Sequence, residues 1–263
     1  MAQTSYGTEQ AIGILGGLAD SSFKHTESMI ASEAIVPGRA VIRTPNYADQ
    51  IQTCKANYAL AVSSTALIAS NSTIVTVNSV ATTATVYCSS NAATMAAILV
   101  KVKALSTVSR AELVSTESGD NILSLRIWTT GATAVVTVAT TLGSTQPTWT
   151  VTASLDATNI FGIAQLTQSI EGQLPDVDNS ASHAANSLVN VLRRGKIFVN
   201  FETAFDPDQD TLYVRYTADT GKYIGDFGNT ADSARCVSLA GLPIRVVTHL
   251  TAAGIGIVEL NLP

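Results

Sequence analysis

The sequence predicts a mainly β protein, an antiparallel β-sandwich or barrel of jelly-roll type that carries a small inserted α+β domain. Three observations lead there. Short alternating apolar runs, separated by turn residues, recur at both ends of the chain. Hydrophobic residues make up 46% of the 263 positions and charged residues only 13%, a balance that excludes a disordered chain. Charge is also unevenly spread, because residues 56–155 hold only seven charged residues and are rich in Thr, Ser, Ala and Val instead. That shift marks an insertion at 56–155 into a parent domain made of 1–55 together with 156–263.

The parent elements follow in order. Ala11–Ala19 is apolar and punctuated by glycine, with a turn at Asp20-Ser21-Ser22. The cluster Gly13-Ile14-Leu15-Gly16-Gly17 is followed by no helical pattern, so it reads as a bulge or a close backbone approach rather than a phosphate cradle. Ser28–Ile35 is extended, and Pro37-Gly38 turns the chain into Ala40-Val41-Ile42. Phe161–Leu166 is a short strand. Leu188–Phe201 reads as two strands around Arg194-Gly195, with Ile197, Val199 and Phe201 on one face of the second. Leu212, Val214 and Tyr216 share a face after the polar turn Asp206–Asp210, and Ile244–Thr248 and Gly256–Leu262 close the chain.

The insertion has the rhythm ββαβββ. Thr73–Val77 and Thr83–Tyr87 form a hairpin around Asn78-Ser79. Ser90-Asn91 caps a helix over Ala92–Leu105, where Met95, Leu99, Val102 and Leu105 recur at helical spacing. Strands follow at Ala111–Thr116, Ile122–Thr129 and Ala134–Thr140, the first two separated by Ser118–Asn121. Threonine suits such strands, since its branched side chain packs well on a pleated surface.

Charge and motifs narrow the function. A net charge of -5 argues against nucleic acid as a partner, which calls for a basic face. No apolar run approaches a membrane span and no signal peptide is visible, so the chain is expected to fold in a cytoplasm. Cys54, Cys88 and Cys236 are odd in number and widely spaced, which suits neither a disulfide framework nor a zinc site. No nucleophile-elbow, zincin or P-loop pattern occurs, and His25, His183 and His249 lie in separate segments. Asp206, Asp208 and Asp210 lack the glycine and terminal glutamate of a calcium loop, and Asp176-Val177-Asp178 is equally a solvated turn. No catalytic residue, metal or cofactor is therefore expected. Arg193-Arg194-Gly195-Lys196 is the one basic cluster, either a solvated hairpin corner or a contact to an acidic protein partner. Asp176–Ser187 reads as a long loop.

The order of the parent motifs resembles tailed-phage structural cement, or capsid decoration, proteins. The residues that carry the resemblance are Gly17-Leu18-Ala19-Asp20, Ala31-Ser32-Glu33-Ala34-Ile35 and Gly38-Arg39-Ala40-Val41, then FGIAQL, VLRRGKIFVNFETAFDPDQDTLYVRY and the terminal GIGIVELNLP. It covers about 11–50 and 160–263, and the insertion at 56–155 departs from it. The resemblance implies a non-enzymatic virion protein, made in the host cytoplasm. It would bind the outer surface of an assembled capsid, bridge major capsid subunits and act as a homodimer or homotrimer, with neither nucleic acid nor membrane as partner. Under that reading the candidate capsid contacts are Arg39, Arg193, Arg194 and Lys196, the polar segment Met1–Gln10 is an arm for a neighbour, and the insertion faces outward. Two other classes remain open on sequence: a surface adhesin or carbohydrate-binding module using Trp128, Trp149 and the scattered tyrosines, and an enzyme built on one of the histidines.

Overall fold

The computed structural model describes residues 14–19, 24–44, 47–115, 123–130, 134–143, 145–166, 182–233 and 235–263. Residues 1–10, expected as an arm, residues 20–22 and 118–121, expected as turns, and residues 176–181 of the expected loop lie outside these residues. The strands run β1 (His25–Ala31), β2 (Ala40–Thr44), β3 (Tyr47–Thr53), β4 (Tyr58–Ser63), β5 (Ser72–Val77), β6 (Val80–Ala81) and β7 (Thr85–Val86). Helix α1 (Asn91–Lys103) is followed by β8 (Val108–Ser115), β9 (Ser124–Thr129), β10 (Val136–Thr141) and β11 (Trp149–Ser154). After a 3-10 turn at Ala157–Asn159 come β12 (Ile160–Ala164), β13 (Leu188–Phe201), β14 (Tyr213–Arg215), β15 (Phe227–Gly228), β16 (Cys236–Ser238), β17 (Ile244–Val246) and β18 (Gly254–Asn261). The mainly β expectation holds, and no helix is long and apolar enough to cross a membrane among the described residues.

Ten strands form one large sheet, drawn from before residue 54 and after residue 159. Part of it closes on itself. β1 pairs with β3, β3 with β2, β2 with β12, β12 with β13, and β13 again with β1. Only the β1–β3 pairing in this ring is parallel. All five strands send apolar side chains into one cluster: Met29 and Ala31, Val41, Ile51, Phe161 and Ala164, Val189 and Val191. A cluster fed by every strand of a closed ring is the interior of a small barrel, filled by side chains rather than hollow. Residues on the other face, such as Ala40, Ile42 and Leu192, with Ile163 beyond the register shift in β12, enter a second and larger core with Ile197, Val199, Phe201 and Val258. Strand β2 is therefore buried on both faces at Ala40–Ile42, as its uninterrupted apolar run requires.

Leu188–Phe201 is one continuous strand of 14 residues, not the two expected around Arg194-Gly195. Its neighbours change instead. The first half lies between β1 and β12, whereas Arg194–Phe201 pairs along its length with β18. On the other side of that second half, Gly16 and Gly17 exchange backbone bonds with Phe198. Gly195 has φ 122, a conformation open to glycine, and its pairing with Leu260 continues the β18 ladder without a shift in register. Gly16 explains the N-terminal glycine cluster: a Cβ there would stand 2.5 Å from the Pro37 Cβ and 2.9 Å from the Gly38 nitrogen. This is the close backbone approach that the sequence suggested.

The segment between β3 and β12 contains the expected hairpin, helix and strands, and three strands not read in the sequence, β4, β11 and the two-residue β6. They make two four-stranded sheets, β10-β5-β6 with β7 on β5, and β11-β4-β9-β8. Asn78 and Ser79 both have positive φ, as a tight hairpin turn requires. The Ser90 hydroxyl accepts from the Ala93 amide at 3.2 Å and starts α1, which buries Met95, Ile98 and Val102 between the sheets. Asn57 ties the two crossing segments together. Its amide donates to the Ser154 carbonyl at 3.0 Å, and its side-chain oxygen accepts from the Asp156 amide at 3.2 Å.

Candidate interaction surface

Alternation carries the barrel's inward files past their apolar part into charge. Two residues beyond Val41 stands Arg43; two beyond Val191 stands Arg193; two before Met29 stands Glu27. Because β2 and β13 run one way and β1 the other, these three reach the same end of the barrel. Arg193 donates to the Glu27 carboxylate at 2.6 Å, and Arg43 lies 3.7 Å from its other oxygen. Both guanidiniums lie against the Phe161 ring, at 4.3 Å for Arg43 and 4.5 Å for Arg193. The arrangement is a clamp of two arginines on one carboxylate and one ring.

A second clamp of the same composition stands on β8 and β9. Arg110 donates to Glu112 at 2.7 Å and Arg126 donates to the same carboxylate at 3.3 Å. Both guanidiniums lie against Trp128, at 4.5 Å and 5.6 Å. Register fixes this pattern, since Arg110 is opposite Trp128 and Glu112 is opposite Arg126. The intervening residues Ala111, Leu125 and Ile127 face the core, so the clamp occupies the outer face of its sheet. Between the two clamps lies a cleft of about 490 Å³ lined by Arg43, Thr44, Asn57, Arg110, Trp128 and Asp156.

The four residues singled out in the sequence separate. Arg39 is not on the surface: it is 2% exposed and forms a buried ion pair with Asp226, with its guanidinium 4.9 Å from the Tyr223 ring centre. Its charge is needed inside because Asp226, itself buried, also sits there, accepting from Asn200 at 3.0 Å. Burial pushes the Asp226 carboxyl up to about 6, against the pull of Arg39 and Asn200. Arg193 belongs to the first clamp. Arg194, of opposite parity, donates to the Leu262 carbonyl at 3.2 Å. Lys196 is half-buried and stands opposite Glu259 on β18. The basic run is thus distributed over two faces of one strand. Arg43 and Arg110 were missed, although two-residue spacing from Val41 would have placed Arg43 on the inward file.

Other candidate chemistry is accounted for by structure. Asp206 accepts from the Asp208 amide at 3.0 Å and Asp210 from the Asp206 amide at 2.8 Å, so both carboxylates hold their own turn. Among the described residues, Glu202, Asp232 and Cys236 are the group of ligand-type side chains close enough to share a metal. Arg215 already fills that position, donating to Glu202 and Asp232, and Lys222 adds a bond to Asp232 at 3.2 Å. Burial also pushes the Cys236 thiol up to about 11, away from the thiolate a metal needs. His183 is buried with Nε2 2.8 Å from the Gln165 carbonyl, and burial lowers its pKa. Of the rings considered for sugar stacking, the two tryptophans are largely covered, whereas Tyr47 is 58% exposed. Trp128 is 9% exposed beneath its arginines, and Trp149 is half-buried with its indole N–H donating to Thr140 at 2.9 Å.

Residues 110–262 match the family of structural cement proteins described as E217 gp24/Pam3 gp6. The chain belongs to this family. The match begins at Arg110 in β8, so it includes the last strands of the 56–155 segment and leaves out the N-terminal motifs at 11–50. Among solved structures, the chain is similar to one from "The capsid of Myoviridae Phage XM1", with 11% identity, a TM-score of 0.45, and coverage of 99% of this chain and 97% of that one. No curated protein matches the chain. Membership identifies a structural component of the virion, in a family that is generally non-enzymatic.

Proposed function

We propose that the chain binds the outer surface of an assembled phage capsid as a homo-oligomer and bridges neighbouring major capsid subunits, without catalysis. The family match over residues 110–262 carries this reading. A protein that binds only the assembled arrangement stabilises it by mass action. An oligomer that grips several subunits at once gains effective concentration for each further grip. The strands outside 56–155 form the main binding unit. The 56–155 segment is an accessory unit whose β10-β5-β6 sheet faces outward.

The rigid ion-pair scaffold supports the reading. Arg39–Asp226 and Arg215 with Glu202 and Asp232 pin the loops around β14 and β15 to β2 and β13. Pinned loops lose little entropy when they meet a partner, which favours a passive clamp over a moving machine. The test is sedimentation of the purified chain with assembled shells and with free coat subunits. The chain is expected to co-sediment with shells and to remain unbound among free subunits. Equal binding to free subunits, or none to shells, refutes the proposal.

A further inference from the structure

We infer that the cleft between the two arginine clamps receives an acidic segment of the major capsid subunit; this rests on the capsid-binding reading above. The charge around the cleft is the reason. Each clamp sets two guanidiniums against one carboxylate, and so carries a surplus positive charge in a chain whose net charge is -5. Four of the nine arginines of the chain are gathered here.

The two arginines that line the cleft are the more exposed members of their clamps, at 48% and 66% against 16% for Arg193 and 34% for Arg126. Arg43 is half exposed, and its approach to Glu27 at 3.7 Å is too long for a hydrogen bond. Glu27 is instead held closely by Arg193. Arg110 is 66% exposed, lines the cleft and uses one nitrogen on Glu112. A ring lies under each guanidinium, Phe161 at 4.3 Å from Arg43 and Trp128 at 4.5 Å from Arg110, which restricts both side chains before a partner arrives. Preorganised guanidiniums are matched by carboxylates, which they bind through paired N–H donors. Asp156 on the cleft wall, whose Oδ1 accepts the Thr158 amide at 3.0 Å and the Thr158 hydroxyl at 2.7 Å, offsets part of this charge, but four guanidiniums against Glu27, Glu112 and Asp156 still leave the cleft positive.

One wall comes from the barrel and the other from the accessory unit, so a segment seated there bears on both. Asn57, on the cleft lining, joins the two crossing segments, and its carbonyl accepts the Thr129 amide of β9 at 3.1 Å. The accessory unit thereby takes part in binding through its inner sheet while its other sheet stays outward.

The experiment measures binding of the full chain to assembled shells at low and high salt, for wild type, Arg43→Gln, Arg110→Gln and the double variant. Arg245→Gln, altering an exposed arginine paired with Glu259 elsewhere, serves as control. Thermal unfolding of each variant confirms that it is folded. Each single substitution is expected to weaken binding several-fold and the pair roughly tenfold or more, with a shallower salt dependence and an unchanged control. Arg43→Lys should recover part of the loss, because charge returns without the planar fork. A glutamate-rich peptide should compete with shells. Three results overturn the inference: a folded double variant that binds as wild type does, competition by duplex DNA as effective as by the peptide, or a change of oligomeric state in the double variant, which would make a second copy the occupant. Wild type that fails to bind shells at all refutes the capsid reading itself, a result distinct from these.

Discussion

Arg39 and Arg215 differ from Arg43 and Arg110 in how their charge is balanced, and the difference separates scaffold from surface. The first pair is buried and meets carboxylates on the spot: Asp226 for Arg39, Glu202 and Asp232 for Arg215. The second pair is exposed and shares its carboxylates with other arginines. One residue type thus does two jobs. Where positive and negative charges are matched and dry, arginine holds loops together. Where arginine is in surplus beside water, it is left able to bind something else.

The sharpest way to break this contrast is Arg215→Met. Removing one side of a buried ion-pair network strands the other, and the loss should be about 3–5 kcal/mol in urea unfolding. A loss below about 1 kcal/mol would show that Arg215 is no more structural than a surface residue. Arg39→Met should be similarly costly, and adding Asp226→Asn should restore part of the loss by removing the stranded carboxylate. If the second substitution only adds to the damage, the pair is not coupled as described. Arg110→Gln should change stability by about 1 kcal/mol or less, the range of an exposed ion pair. A larger effect would move Arg110 to the scaffold side.

A finer test uses pH. The folded chain holds the Asp226 proton more tightly than the unfolded chain does, since its carboxyl is raised from 3.8 to about 6. Between about pH 4 and 6 this group makes stability fall as pH rises. Wild-type stability minus that of Asp226→Asn should therefore decrease over that interval. A difference that stays flat or grows contradicts the assignment. Asp232, a few residues away, runs the other way. Its bonds from Arg215 and Lys222 hold its carboxyl below the ordinary range, so its contribution is present above about pH 4 and is lost as pH falls.

Much of the scaffold was legible in the sequence because it follows local rules. The alternation at Ile197, Val199 and Phe201, the hairpin at Asn78-Ser79 and the cap at Ser90 are each set by neighbours in the chain. Strands β4 and β11 were not legible. In β4, Tyr58, Leu60 and Val62 on one face stand against Ala59 and Ala61 on the other, so the run is apolar on both faces and shows no period; β11 does alternate, Trp149 and Val151 against Thr150 and Thr152, but within a Thr- and Ser-rich stretch that masks it. The continuity of β13 was hidden because Gly195 looks like a break until the partners on both sides are known. The cleft was the least legible feature of all. It depends on the ring closure that brings Glu27, Arg43 and Arg193 together across 167 residues, and on the placement of β8 beside the barrel mouth. The Arg193-Arg194-Lys196 cluster drew attention by adjacency in sequence, yet strand parity pulls it apart, while Arg43 stood unremarked in a short apolar run.

The most direct measurement of the central claim compares the temperature at which DNA-filled particles release their genome, with the chain present and with it stripped away. Stripped particles should open at a lower temperature, and adding the purified chain back should restore the original value. Release at the same temperature with and without the chain would contradict a role in holding the shell together.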